Sequence, residues 1–535
     1  MTVDFSDEWF QSPSRRSVIA SEAMVIGATP QATFAGYDVL RAGGNAVDAA
    51  IAAIAVTSVV EASQCGLGGD CFAFVARPGE APLAYNGSGR APKGLSAERL
   101  LAAGTAEIAR TSPHAVTVPG AVEAWCRLHA DFGAVDLERL FAPAIAYAEN
   151  GYVVQRRVAQ DWAKGASLLA TQENAARFYL RPDGTSPVAG SLHHLPGLAT
   201  AFRDIAANGA DGFYRGRVAE DIVTYLRALG GFHESADFAD HRGQYVEPIS
   251  RDFRGHQVYE CPPNGQGVAA LIILGLLERL LGSDTLDSAQ GIHLLAEASK
   301  IAFAVRDELV ADPDVAPMDV ERWLSQETIA ELATKIDRAH AGTRPTLAQM
   351  MPAHEDTSYV TVVDRDGLAV SLISSIFSDF GSTLVEPRSG ILLQNRGAGF
   401  KVAPGHPNCV APGKRPLHTI IPGMVMKDGR PSLSFGVVGG HYQPVGHAMV
   451  LHAMLTEGLD PQEALNRPRS LCQTGPLELE TTNSPELARE LERLGHRIVR
   501  PAHPLGGGHV IQIDHERGVL VGASDPRRDG VVAGF

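Results

Sequence analysis

Between residues 357 and 373 two apolar runs stand on either side of a four-residue turn. Tyr359-Val360-Thr361-Val362-Val363 and Leu368-Ala369-Val370-Ser371-Leu372-Ile373 flank Asp364-Arg365-Asp366-Gly367, with glycine where a hairpin turn needs positive φ. Successive side chains of a strand point to opposite faces. A hairpin that is apolar at nearly every position therefore belongs to a sheet covered on both sides. Further strands are expected at 391–393, 419–426, 432–437, 510–514 and 520–522, with helices at 445–455 and 484–494 as covering layers.

The part of the chain before this hairpin reads as α/β. Helices are expected over 32–41, ended by Gly43-Gly44, and over 46–60, opened by Asn45 and stopped near Gly66-Leu67-Gly68-Gly69. Short strands at 71–76 and 83–86 flank the Arg77-Pro78-Gly79-Glu80 turn, and 119–132 returns to helical periodicity. From 135 to 345 the pattern is mostly helical, at 137–150, 197–208, 217–229, 267–281 and 288–310. Strand-like Val258-Tyr259-Glu260 and a turn at Pro262-Pro263 interrupt it. Residues 337–356 lose apolar periodicity and read as a mobile loop.

With 535 residues, 45% apolar and 20% charged, the chain can bury one or two substantial cores. A net charge of −15 and the lack of any basic run of five or more argue against a nucleic-acid partner. The six cysteines are scattered without a Cys-x-x-Cys pair, as suits reduced thiols. Ser14-Arg15-Arg16-Ser17-Val18-Ile19-Ala20 superficially resembles a twin-arginine signal, but Glu22 interrupts the apolar region such a signal needs. A cytoplasmic location is expected. No run of eighteen apolar residues predicts a membrane span.

Thr357 opens the first arm of the hairpin, after the polar 337–356 segment. A threonine hydroxyl is a weak nucleophile at neutral pH, but a free α-amine on the same residue can act as its base. Liberating that amine requires scission between Asp356 and Thr357. The hydroxyl can achieve this by attacking the carbonyl of residue 356, shifting the acyl group from nitrogen to oxygen and leaving an ester for water. A threonine at the head of a strand is more often structural, so the local pattern alone leaves both readings open.

Ordered motifs along nearly the whole chain resemble the γ-glutamyltransferase family of N-terminal-nucleophile hydrolases. They include Leu40-Arg41-Ala42-Gly43-Gly44-Asn45-Ala46-Val47-Asp48-Ala49-Ala50, Gly66-Leu67-Gly68-Gly69-Asp70-Cys71-Phe72, Glu247-Pro248-Ile249-Ser250 and the Thr357 segment. Ser389-Gly390-Ile391-Leu392-Leu393, Gly413-Lys414-Arg415-Pro416-Leu417, Gly439-Gly440 and Gly522-Ala523-Ser524-Asp525-Pro526-Arg527 continue the series. The resemblance implies a four-layer αββα sandwich cut into segments 1–356 and 357–535 that stay interleaved, alone or as a homodimer of the processed unit. It implies Thr357 as nucleophile and base, Ser375 as a second hydroxyl orienting it, and the amides of Gly439 and Gly440 as an oxyanion hole. No metal and no cofactor are implied.

The residues expected around the substrate depart from the family pattern. Where the family holds a γ-glutamyl α-amine with an asparagine, a glutamine and an aspartate, this chain has Phe377, Arg396 and Gly399. His418-Thr419 replaces a serine pair, and Ser88 takes the place of an arginine that reappears two residues on as Arg90. Exchanging an acid at 399 for a guanidinium at 396 favours an anion over an ammonium group, and Phe377 narrows and dries the site. Arg90, Phe377, Arg396, His418 and Thr419 are the expected substrate-binding residues. Arg90 and Arg396 could equally be structural ion-pair partners. Asp379 offers an alternative contact for an amine.

His441, His447 and His452 match no metal-binding spacing and fit a helix face better. Residues 87–94 are glycine-rich without being a P-loop. Three functions stay open on these grounds. The first is an autoprocessed amidohydrolase acting on γ-glutamyl or small carboxylate-bearing amides, oxamate included. The second is a transferase passing the acyl group to an amine instead of water, and the third an unprocessed binding relative.

Overall fold

The computed structural model describes residues 14–343, 357–473 and 475–535. Two seven-stranded sheets form its centre. One runs Val531–Gly534, Met24–Gly27, Ser358–Val363, Ala369–Ser375, Asp70–Ala76, Leu83–Gly87, Gln244–Val246. The other runs Val18–Ala20, Val519–Ser524, Gly507–Asp514, Arg430–Val438, Gly423–Lys427, His256–Glu260, Ile249–Phe253. Every pairing within the two sheets is antiparallel.

The hairpin shows why both of its faces had to be apolar. Ser358 pairs with Ser374 and Val363 with Ala369. Tyr359, Val363, Ala369 and Ile373 enter the core between the sheets, while Val360, Val362, Val370 and Leu372 enter a second core on the outer face. Hydroxyls at intervening inward positions bridge the sheets: Thr361 Oγ1 lies 2.7 Å from Ser434 Oγ, and Ser371 Oγ donates to Phe435 O at 3.1 Å. At Gly436 the second sheet lies close against the Tyr359 ring, since a Cβ there would sit 2.4 Å from it.

Helices close the sandwich on both sides. Ala46–Val60 is buried at every residue, lying between the sheet that holds the hairpin and the Leu137–Asn150 helix. Asn45 caps it, with Asp48 returning a bond to the Asn45 amide, and Ala46 N donates to Asp364 Oδ2 in the hairpin turn at 2.9 Å. Gly267–Leu280, Ala289–Leu309 and Tyr442–Leu455 cover the other sheet. The architecture is the expected four-layer αββα sandwich, and each sheet contains strands from both before and after residue 357.

Some elements differ from expectation. Residues 391–393 make only isolated bridges, to Gly68 and Val385. Their backbone packs on the glycine loop, where a Cβ on Gly68 would meet Leu392 O at 2.2 Å. Of 419–426 only Gly423–Lys427 forms a strand, because the preceding amides bond elsewhere: His418 N to Asn264 O and Ile421 N to Gln443 Oε1. The Arg156–Leu169 helix was not expected. Its buried face includes Asp161, ion-paired to Arg157 and Arg528, and Gly165, against which the Phe380 ring packs, so an apolar count misses it. Residues 337–343 form no helix or strand, and the predicted cut after Asp356 lies outside the described residues.

Candidate active site

Thr357 sits at the head of the Ser358–Val363 strand and is buried, 1% exposed. Continuing the hairpin register by one residue sets it opposite Ser375, the last residue of the Ala369–Ser375 strand. Its main-chain nitrogen donates to Gln64 Oε1 at 3.1 Å, and its hydroxyl oxygen accepts from Gln443 Nε2 at 3.2 Å. Gln64 closes the turn that follows the Ala46–Val60 helix, and Gln443 lies in the first turn of Tyr442–Leu455. Neither glutamine was expected, because an isolated glutamine carries no motif.

Gly439 and Gly440 form the turn between the Arg430–Val438 strand and that same helix, with φ of +116° and +55°. Both values favour glycine. The turn opens a 14-residue helix, whose N-terminal end carries positive partial charge and unsatisfied N–H groups. Gln266 pins the turn from below, donating to Gly440 O at 3.0 Å and to Thr419 O at 2.5 Å. Through Gln443 the two glycines and Thr357 belong to one site.

Arg396 is the charge at its centre. The guanidinium is fully buried on the short helix Arg396–Gly399. It donates through Nη1 to Thr419 Oγ1 at 2.8 Å and through Nη2 to Ser375 Oγ at 3.3 Å, and its Cζ lies 4.2 Å over the Phe377 ring. Among the described residues Nε has no hydrogen-bond partner and no carboxylate lies within ion-pair distance. Burial pulls its pKa down to about 9 and Asp70 partly offsets this, so it stays charged at neutral pH. Phe377 holds its place at φ +81°, a strained conformation for a bulky residue that clusters at functional sites; its amide donates to Ser375 Oγ at 2.9 Å.

Asp70 organises the layer behind Arg396. Oδ1 accepts from Gly89 N, Gly120 N and Gln394 Nε2, and Oδ2 lies 3.0 Å from His418 Nε2. Ile420 N donates to His418 Nδ1, which makes Nε2 the protonated nitrogen facing Asp70. Both ring nitrogens are thus taken by protein groups. Burial, then Arg396, holds the His418 pKa down at about 4, so the ring is neutral.

Other expected groups are placed less centrally. Arg90 gives its donors to Asp312, Asp314 and Gly413 O, the ion-pair alternative recognised from sequence. The Asp379 carboxylate lies 3.3 Å from Gln64 Nε2 and 3.5 Å from Lys164 Nζ, so an ammonium already neutralises it. Next to Thr357, Glu61 accepts from Ser358 Oγ at 2.5 Å, and burial pushes its carboxyl up to about 7. His441, His447 and His452 contact Arg306, Glu260 and Glu457 respectively. Among the described residues one group, His293, Glu297 and His496, is close enough to share a metal ion. There the Lys300 ammonium is 2.7 Å from Glu297 and occupies the cation's role.

Residues 32–535 match the sequence family described as Gamma-glutamyltranspeptidase. The glutathione hydrolase-like YwrD proenzyme of Bacillus subtilis is 36% identical over 531 residues, covering 97% of this chain and all of that protein. The oxamate amidohydrolase proenzyme of Klebsiella pneumoniae is 36% identical over 534 residues, covering 97% of this chain and 99% of that one. In structure the chain is similar to a cephalosporin acylase from Bacillus halodurans, with a TM-score of 0.92, 38% identity, and coverage of 100% and 99%.

Proposed function

The chain belongs to the γ-glutamyltranspeptidase family, a proenzyme-type amidohydrolase or acyltransferase, and from that premise we propose that its acyl donor is a short amide carrying a carboxylate beside the scissile carbonyl. Oxamate, the monoamide of oxalate, is the smallest such compound. In this reading Thr357 is the nucleophile. Its hydroxyl first attacks the carbonyl of residue 356, the acyl group moves from nitrogen to oxygen and so frees the α-amine, and water then hydrolyses the ester to restore the hydroxyl and leave a carboxylate on residue 356. In turnover the α-amine takes the hydroxyl proton as Oγ1 attacks the substrate amide, and the oxyanion develops toward the N–H groups of Gly439 and Gly440. Ammonia or an amine leaves with a proton, and water or an acceptor amine then takes the acyl group from Oγ1.

The observation that carries the substrate assignment is the buried Arg396 guanidinium, which has no carboxylate within ion-pair distance among the described residues. A buried charge without a counter-ion is costly, and a substrate carboxylate supplies one. Because Arg396 also touches Ser375, opposite Thr357, an anion held there lies close to the reacting carbonyl, which suits a short acyl chain. Asp379, the acid expected to be able to meet an α-amine, is paired with Lys164.

The test is ammonia release by the matured enzyme from oxamate and from glutamine, beside aniline release from a γ-glutamyl anilide. Oxamate should give the highest kcat/KM. Faster turnover of the anilide would overturn the substrate assignment, and an added amine that accelerates release with ping-pong kinetics would identify a transferase.

A further inference from the structure

We propose that Gln443 is a catalytic residue: its side-chain N–H groups bind the Thr357 hydroxyl oxygen and stabilise the charge that gathers there as the ester bond forms and breaks. This rests on Thr357 being the nucleophile. The orientation of the amide follows from the network around it. Oε1 must be the end that accepts from Ile421 N at 2.9 Å, because a main-chain N–H can only donate. Nε2 is therefore the end at Thr357 Oγ1, at 3.2 Å. Gln443 is fully buried, and its own amide donates to Gly440 O, so both ends of the residue are fixed at the head of the helix.

An amide N–H at this position does what a carboxylate could not. It only donates, so Thr357 Oγ1 must be the acceptor in that contact and its own proton stays available for transfer to a base. During acylation the Oγ1–carbon bond forms, the carbonyl electron pair moves to the oxyanion, and the hydroxyl proton passes to the α-amine and on to the departing nitrogen. During hydrolysis water attacks the ester carbonyl and gives a proton to the α-amine, the carbon–Oγ1 bond breaks with its electron pair returning to Oγ1, and the α-amine passes that proton to Oγ1. Oγ1 is the leaving atom in that second half, and the Gln443 N–H faces it. The helix N-terminus beneath adds a fixed dipole of the same sign. Removing one such preorganised donor costs about 10²–10³-fold in rate.

Gln443→Glu separates this role from a merely structural one. It keeps an oxygen acceptor for Ile421 N and replaces the donor at Thr357 with a carboxylate oxygen, which becomes an O–H donor again once protonated. At pH 8 the expected precursor cleavage and kcat are lower than in the parent by about 10²–10³-fold, with KM changed far less. The ratio of variant to parent cleavage should recover as pH is lowered toward 5, and acyl-enzyme on the peptide beginning with Thr357 should accumulate, read by mass spectrometry. Gln443→Met, which has no donor at any pH, should be slow throughout and serves if the glutamate variant does not fold. Cleavage and kcat within about threefold of the parent at pH 8 in the folded variants would overturn the inference. Thr357→Ala run in parallel isolates the premise: cleavage in that variant would sink the nucleophile assignment itself, whereas an inert Thr357→Ala beside a fully active Gln443→Glu would sink only the role of Gln443.

Discussion

Arg396 and Lys164 set the charge of the site in opposite ways, one with no carboxylate in ion-pair distance among the described residues and the other by pairing with Asp379. Replacing Arg396 with glutamine removes the charge while keeping a polar side chain. The expected loss in kcat/KM is about 1.5–3 kcal/mol, the usual worth of a hydrogen bond to a charged group, or roughly 10- to 150-fold. Steady-state kinetics on oxamate check it, and an unchanged value would mean that Arg396 does not meet the substrate. Thr357→Ala should yield a folded, full-length, inactive chain on a denaturing gel. Thr357 drew notice in the sequence because it heads the hairpin in a family-like segment, and Ser375 and Arg396 because the family register sets them beside it, Arg396 as a departure from the family pattern. Gln64 and Gln443, which hold the two ends of Thr357, come from segments 293 and 86 residues away, and nothing in their local sequence marks them.

The Gly439-Gly440 turn illustrates what a single element has to satisfy. At Gly439 φ is +116°, and a Cβ would lie 2.7 Å from the Gly506 Cα, a backbone atom that cannot move aside like a side chain. Gly439→Ala should therefore displace the turn and its N–H groups, slowing both precursor cleavage and turnover by at least tenfold, the scale of losing part of an oxyanion hole. Time courses of band conversion and ammonia release measure the two separately, and parent-like rates for both would show that the turn does not serve the reaction. Elements with strong local signals were readable to within a residue or two. Asn45 and Asp48 mark the start of Ala46–Val60, and Leu137–Asn150 has a clear apolar stripe. The Arg156–Leu169 helix was hidden because a buried ion pair and a glycine occupy part of its packed face, which only tertiary partners explain.

In the whole molecule, segments 1–356 and 357–535 share both sheets, so cutting between them breaks one bond and leaves the strand ladders intact. The two pieces should co-elute as one species in native buffer and separate only in denaturant; separation without denaturant would contradict the interleaved sheets. Acid should destabilise the fold. His233, His241, His418 and His509 are buried, and burial holds their pKa values at about 3–4 against an ordinary 6.5. Between those limits the unfolded chain binds protons that the native state does not, so stability is full above about pH 6.5 and falls as pH drops toward 4, by up to about 1.4 kcal/mol per pH unit for each proton. Glu61, raised to about 7, works in the opposite direction and offsets one of them. Melting temperatures from pH 7.5 down to 4.5 should decline, and a flat profile would refute the attribution to buried neutral histidines. The sequence by itself determined the doubly covered hairpin, because strand periodicity and apolar burial act locally along the chain, and its resemblance to the family carried the four-layer sandwich. It also marked Thr357 as the residue around which the site would form. Only the tertiary structure decided what surrounds that threonine, since the glutamines that hold it, the neutralised Asp379 and the Arg396 guanidinium take their meaning from neighbours that the fold brings together from 21 to 315 residues away.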